Sequence, residues 1–152
     1  MSRDRAVGVV IHENKLLVMF RKNDHGEYYV FPGGGVEEGE TNEEATVREL
    51  DEETSVEVKT ERLLYTLHHD NGDIHYFFLC SYISGTPLLR AGTNEHDDNV
   101  RGNDYYEPRW LPIEEINKNG PLYPPEATDQ FLRDLKNGFS EQVIGLQSAP
   151  TR

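Results

Sequence analysis

The sequence predicts an α/β (α+β) fold, a mixed β-sheet held between helices as an α/β/α sandwich. Two patterns carry that expectation. The N-terminal apolar runs are continuous rather than alternating, so their strands should be covered on both faces. Residues 41–54 read as an amphipathic helix with one apolar back. The length of 152 residues favours one domain, expected over residues 1–146 with a flexible tail at 147–152.

The elements follow in order. Ala6–Ile11 and Leu16–Phe20 are apolar runs of strand length, joined by a turn at His12-Glu13-Asn14-Lys15. Arg21–Glu27 reads as a polar loop, and Tyr28–Phe31 as a short strand that Pro32 ends. Thr41-Asn42-Glu43-Glu44 fits a capping box, in which the threonine hydroxyl and the glutamate carboxylate each satisfy an orphan N–H. The helix it starts should run to Thr54. Residues 55–69 predict one or two strands, Asn71-Gly72 a turn, and Ile74–Ile83 a second strand that pairs as a hairpin. Ala91–Asp104 is fourteen residues with little apolar content, and loops that long are usually functional or mobile. Tyr105–Leu111 returns to strand character, Pro112–Ile116 is a helical turn, and Ala127–Asn137 is a helix that Gly138 stops.

Charge narrows the function. Fifteen Lys and Arg against 28 Asp and Glu leave a net charge of −13. A sequence-independent grip on a nucleic-acid polymer needs a basic footprint, and docking on an anionic membrane needs the same. One cysteine, Cys80, excludes an intrachain disulfide framework and fits a cytoplasmic protein. The longest early apolar run, Ala6–Ile11, is too short for a signal-peptide core or a membrane span.

The informative stretch is Gly33–Val56. Between Glu37 and Glu53 stand nine acidic residues and one basic residue, Arg48. At ~100° per residue, Glu49, Glu52 and Glu53 share one helix face, with Val47, Leu50 and Thr54 opposite. Carboxylates at i, i+3 and i+4 repel. A hard divalent cation relieves that repulsion, because Mg²⁺ takes oxygen ligands from carboxylates and substrate phosphates. A solvated glutamate-rich helix would show the same charge run. The cap, the apolar back, the lone arginine and the Gly-rich loop before the helix favour a site.

These residues resemble the Nudix box, G-x5-E-x7-R-E-U-x-E-E-x-G-U with U apolar. Gly34, Glu40, Arg48, Glu49, Leu50, Glu52, Glu53 and Val56 occupy its positions, and Phe31-Pro32-Gly33-Gly34 resembles the usual lead-in. Ser55 stands where the box has glycine. A left-handed serine there costs ~1 kcal/mol of stability and no ligand.

The resemblance implies a Nudix-type sandwich and a hydrolase that cleaves a nucleoside diphosphate linked to another moiety with Mg²⁺ or Mn²⁺. It implies a small nucleotide or nucleotide-sugar-like substrate. Glu49, Glu52 and Glu53 become the metal ligands, with the Gly33 carbonyl as a further one, and Glu49 or Glu52 the general base. Arg48 should hold a carboxylate in place, and Glu40 should brace the loop. A further carboxylate would come from Asp104 or Glu107. Arg21, Lys22 and Gly34 are the substrate-binding candidates. His68, His69 and His75 lack the Cys partners and spacing of a zinc site.

Two other readings stand beside the hydrolase. One is a Nudix-fold nucleotide-binding or regulatory module without turnover, which could lose the glutamate trio freely. The other is an isopentenyl-diphosphate isomerase, which needs a catalytic cysteine; Cys80 sits in a strand with no evident partner. Tyr123-Pro124-Pro125 resembles the region where MutT-type enzymes carry a base-reading asparagine, but Ala127 stands in its place.

Overall fold

The computed structural model describes residues 3–89 and 104–149. Its elements are β1 (Arg5–His12), β2 (Lys15–Asn23), β3 (Gly26–Val30), β4 (Gly33–Gly35), α1 (Asn42–Thr54), β5 (Glu57–His68), β6 (Ile74–Ser84), β7 (Tyr105–Pro112), β8 (Leu122–Tyr123), α2 (Pro125–Asn137) and β9 (Ile144–Gln147). A single 3-10 turn covers Ile113–Glu115. The expected long segment Ala91–Asp104 lies outside the described residues except for Asp104. No helix among the described residues is long and apolar enough to cross a membrane.

The sheet is mixed. Its order is β8-β3-β2-β1-β6-β5-β9, with β4 also on β1 and β7 also on β2. β1 runs parallel to β6, while β5 and β6 form the expected antiparallel hairpin. The β1–β2 turn places Glu13 at φ 51° and Asn14 at φ 62°, the geometry that matches the twist of a two-residue hairpin. β1 and β2 stay paired only at Ile11–Leu16 and His12–Lys15. Beyond that the strands part. β1 turns to β4 and β6, β2 to β3 and β7. This splay opens a wedge between the two halves of the sheet.

The continuous apolar runs do serve two cores. Val7, Val9, Leu16, Val18 and Phe20 join Phe31, Phe77 and the α2 residues Ala127 and Phe131. Val10 and Leu17 face the other way, with Leu50 of α1, Val58 and Phe78. Helix α1 thus covers one face and α2 the other. Gly8 is where α1 approaches β1: a Cβ there would lie 2.5 Å from Leu50 Cδ2.

Several expectations change. Arg21–Glu27 is not a loop. β2 continues through Asn23 and β3 begins at Gly26, leaving Asp24-His25 as the turn. Polar residues remain in the ladder because Lys22 faces solvent and pairs with Glu27 at 3.9 Å. The glycines Gly33–Gly35 form β4 against Arg5–Val7, so closely that a Cβ on Gly33 would overlap the Ala6 carbonyl oxygen. Of the one or two strands expected over 55–69, the chain forms one, β5, with register shifts. Helix α2 starts two residues before Ala127, with Pro125 in its first turn, where no N–H is needed. Gln147, the first residue of the expected tail, ends β9, and the Ser148 N–H then donates to the His68 carbonyl.

The tight α1–β1 approach is testable. Leu50→Ala should cost about 2–5 kcal/mol in urea unfolding, and Gly8→Ala about 1–3 kcal/mol through overpacking. The double variant should lose less than the two costs added, because removing the leucine methyls makes room for the new one. Additive losses would show that the two sites do not share this space.

Candidate active site

Helix α1 begins where the sequence predicts. Thr41 Oγ1 accepts from the Glu44 N–H at 3.1 Å and Glu44 Oε1 accepts from the Thr41 N–H at 2.9 Å. It ends at Ser55, which is left-handed at φ 64° and donates its hydroxyl to the Leu88 carbonyl at 2.6 Å. The serine therefore takes the conformation glycine would suit, and its side chain gains a partner.

Arg48 organises the front of the helix. Its Nε and Nη2 donate to the two oxygens of Glu40 at 2.7 and 2.9 Å. Nη1 donates to Glu49 Oε1 at 2.9 Å and Glu52 Oε2 at 3.2 Å, and Nη2 to the Gly35 carbonyl at 3.0 Å. These charge-assisted bonds hold the Glu40 carboxyl down to about 2 and push the Arg48 guanidinium up. Burial pushes the Glu49 carboxyl up, against the pull of Arg48. The Glu49 carboxylate lies on Gly34 in the space a Cβ would fill. Glu53 Oε2 accepts the Gly33 N–H at 3.3 Å, and the Gly33 carbonyl accepts from Arg5 Nη2 at 3.1 Å.

Among the described residues no three acidic, histidine or cysteine side chains converge as a finished metal cage. Glu49 and Glu52 are drawn to Arg48, and Glu53 to the Gly33 N–H. The donor set still suits a hard cation: three carboxylates on adjacent turns, one seated in a cradle made by a missing Cβ.

Two adjoining cavities of about 240 and 230 Å³ fill the wedge between β1 and β2. They share Arg5, Arg21, Val30 and Phe31. One reaches Gly33, Glu53 and Tyr106; the other ends at His69, His75, Phe77, Tyr123 and Pro124. Arg21 donates to the Tyr106 hydroxyl at 2.7 Å, and its buried Nε has no partner among the described residues. Lys22, one residue on, points out of the wedge to Glu27. Glu107 pairs across from Phe20, on the face away from Arg21, and accepts from Arg109 Nε and the Tyr105 hydroxyl at 2.6 Å each. Asp104 directly precedes β7 and shares the parity of Tyr106, which pairs with Arg21.

A profile of the NUDIX domain matches residues 2–134. The chain belongs to the Nudix family. It is 34% identical over 111 residues to the ADP-ribose pyrophosphatase of Methanocaldococcus jannaschii, a match covering 69% of the chain and 62% of that protein. It is 40% identical over 80 residues to the 8-oxo-dGTP diphosphatase of Proteus vulgaris, covering 49% of the chain and 71% of that protein. The first match thus spans less than two thirds of the relative. In structure the chain is similar to a NUDIX hydrolase from Nitrosomonas europaea, with a TM-score of 0.75 at 16% identity over 97% of this chain and 80% of that one. At that identity the likeness shows the fold. Nudix hydrolases generally depend on divalent metals.

Three cavity-lining residues, Arg5, His69 and His75, carry little signal in the sequence. Arg5 only opens an otherwise apolar strand. His69 and His75 were set aside with the zinc reading, yet both line the cavity.

The Glu40–Arg48 pair has a pH signature. A carboxyl lowered from 4.5 to about 2 contributes stability that is fully present above 4.5 and lost as pH falls through about 2. Glu49, raised by burial, carries the opposite sign. Glu40→Gln should lower the melting temperature at neutral pH and converge with the wild type as the pH drops to about 2. Curves that stay parallel would remove Glu40 from the acid response.

Proposed function

We propose that this Nudix protein is a metal-dependent pyrophosphohydrolase. It cleaves a nucleoside diphosphate linked to another moiety by attack of water on phosphorus, releasing a nucleotide and a phosphorylated product. The observation that supports this reading best is the wedge itself. The carboxylates sit at one end, two guanidiniums line the middle, and an aromatic-walled cavity lies at the other end.

Glu49, Glu52 and Glu53 would hold Mg²⁺ or Mn²⁺, which when bound neutralises a diphosphate and acidifies water. The rest falls to the chain. Arg5 and Arg21 offset phosphate charge that a protein of net charge −13 would otherwise repel. Glu49 or Glu52 takes the proton of the attacking water. Arg48 holds both of them while Glu40 holds Arg48. The parity of Asp104 with Tyr106 makes it the better candidate for a further carboxylate, since Glu107 is engaged on the other face. The relatives are named for ADP-ribose and 8-oxo-dGTP, and both fit the class proposed here. A module that binds nucleotide without turnover is the competing reading.

Turnover of a nucleotide panel with Mg²⁺, read as the nucleoside monophosphate formed, separates the two. Glu52→Gln and Glu53→Gln should each reduce the rate ~10²–10⁴-fold. Glu43→Gln should not, because Glu43 lines a separate depression with Glu61 and Arg62. Equal losses in all three variants would overturn the assigned carboxylate face, and no turnover by the wild type would defeat the hydrolase.

Metal binding is tested apart from activity. Mg²⁺ and Mn²⁺ should raise the melting temperature of the wild type by mass action. They should leave that of Glu52→Gln/Glu53→Gln unmoved. A matching rise in both proteins would place the cation elsewhere. On the same activity assay, Asp104→Asn should cost far more than Glu107→Gln, and the reverse order would assign the further carboxylate to Glu107.

A further inference from the structure

The inner cavity has an unusual lining for so acidic a chain. It carries Arg5 and Arg21 and, among the described residues, no carboxylate. Its other polar side chains are His69, His75 and Tyr123; the walls are Val7, Val30, Phe31, Phe77 and Pro124. His69 Nε2 and His75 Nδ1 lie 3.3 Å apart in a hydrogen bond, with ring centroids at 4.2 Å. The other two ring nitrogens, His69 Nδ1 and His75 Nε2, bond to no protein group among the described residues. Neither is sealed from solvent.

The proton count of such a pair is fixed. Two neutral imidazoles carry two N–H groups, and the bond between them uses one. When His69 donates, His69 Nδ1 is an acceptor and His75 Nε2 a donor. When His75 donates, both outer nitrogens reverse. The pair always offers one donor and one acceptor, and a shift of tautomer swaps them. The His75 imidazolium is disfavoured, held down to about 4 by burial first and then by His69 and Arg5, against Asp73 and Asp4. Ala127, fully buried, has only a methyl to offer.

We propose that His69 and His75 read the edge of the substrate's nucleobase as a linked donor and acceptor, and that tautomer exchange lets one pair accept bases of opposite polarity. This rests on the nucleotide reading above and names the residues that set its base specificity. The 6-position is a donor in adenine and an acceptor in guanine, and the neighbouring ring nitrogen reverses with it. The two purines therefore require opposite tautomers of the same pair. Phe31, Phe77 and Tyr123 supply the apolar surface that a flat base needs. Arg5 and Arg21 lie between this end and Glu53, where the phosphates of the same molecule would run.

The test uses the full chain labelled with ¹⁵N-histidine at slightly alkaline pH. Protonated and bare ring nitrogens resonate far apart, so the spectrum reports the tautomer directly. The probes are AMP, GMP and, as a base-less control, ribose 5-phosphate. AMP and GMP should drive the His69 and His75 rings toward opposite tautomers, while ribose 5-phosphate leaves them unchanged. His75→Phe should weaken AMP about tenfold, as expected for one lost hydrogen bond, and leave ribose 5-phosphate binding unchanged. In turnover it should raise KM about tenfold with kcat within about threefold. His69→Gln provides a second variant, and the wild-type spectra stand without either. The same tautomer with AMP and GMP would overturn the proposal. So would rings that respond to ribose 5-phosphate as they do to AMP, which would assign the pair to the sugar. Opposite tautomers in a protein that hydrolyses nothing would retain this inference and remove the hydrolase.

Discussion

The Arg48 guanidinium uses all five of its N–H groups: two on Glu40, one each on Glu49, Glu52 and the Gly35 carbonyl. Through them it ties the end of the Gly-rich strand, the loop after it and two turns of α1 into one unit. Without that cation the carboxylates would face one another across a half-buried surface, where repulsion is poorly screened. A lysine could supply the charge but not the planar fork that engages Glu40 through both oxygens. The position of the acidic face relative to the wedge therefore follows from one side chain, and the loop conformation and the helix placement are aspects of the same bonding pattern.

Much of this was legible along the chain. The capping box located the start of α1 because its geometry is local, and the two-sided burial of β1 and β2 followed from the composition of Val7–Val10 and Leu16–Phe20. The role of Glu40 as a brace was also readable, since its spacing to Arg48 belongs to the motif. The cavity was not. It depends on β1 and β2 parting after two residue pairs, and that depends on which strands compete for their edges. Arg21 and Lys22 looked equivalent until strand parity placed them on opposite faces. β4, β8 and β9 were missed because three glycines, two residues and four residues carry too little pattern to register as strands.

The distribution of charge then acquires a purpose. Most of the molecule repels anions, which in isolation argues against a phosphate ligand. The wedge is the exception, with Arg5 and Arg21 facing each other's cavity walls and the acidic helix kept to one end. Low-dielectric walls concentrate the field of those two cations. A ligand with both a compact negative group and a flat neutral one matches this gradient along the wedge better than either group alone.

The two-sided use of β2 also limits how the chain can change in length. Leu17 serves the α1 side, Leu16, Val18 and Phe20 the α2 side, and Arg21 the wedge. A strand alternates faces at every residue, so inserting or deleting one residue within it exchanges every partner downstream. Both cores would trade side chains at once, and Lys22 or Phe20 would occupy the place of Arg21. Evolutionary changes in length are thereby excluded from β2. Divergence within this strand has to proceed by substitution alone.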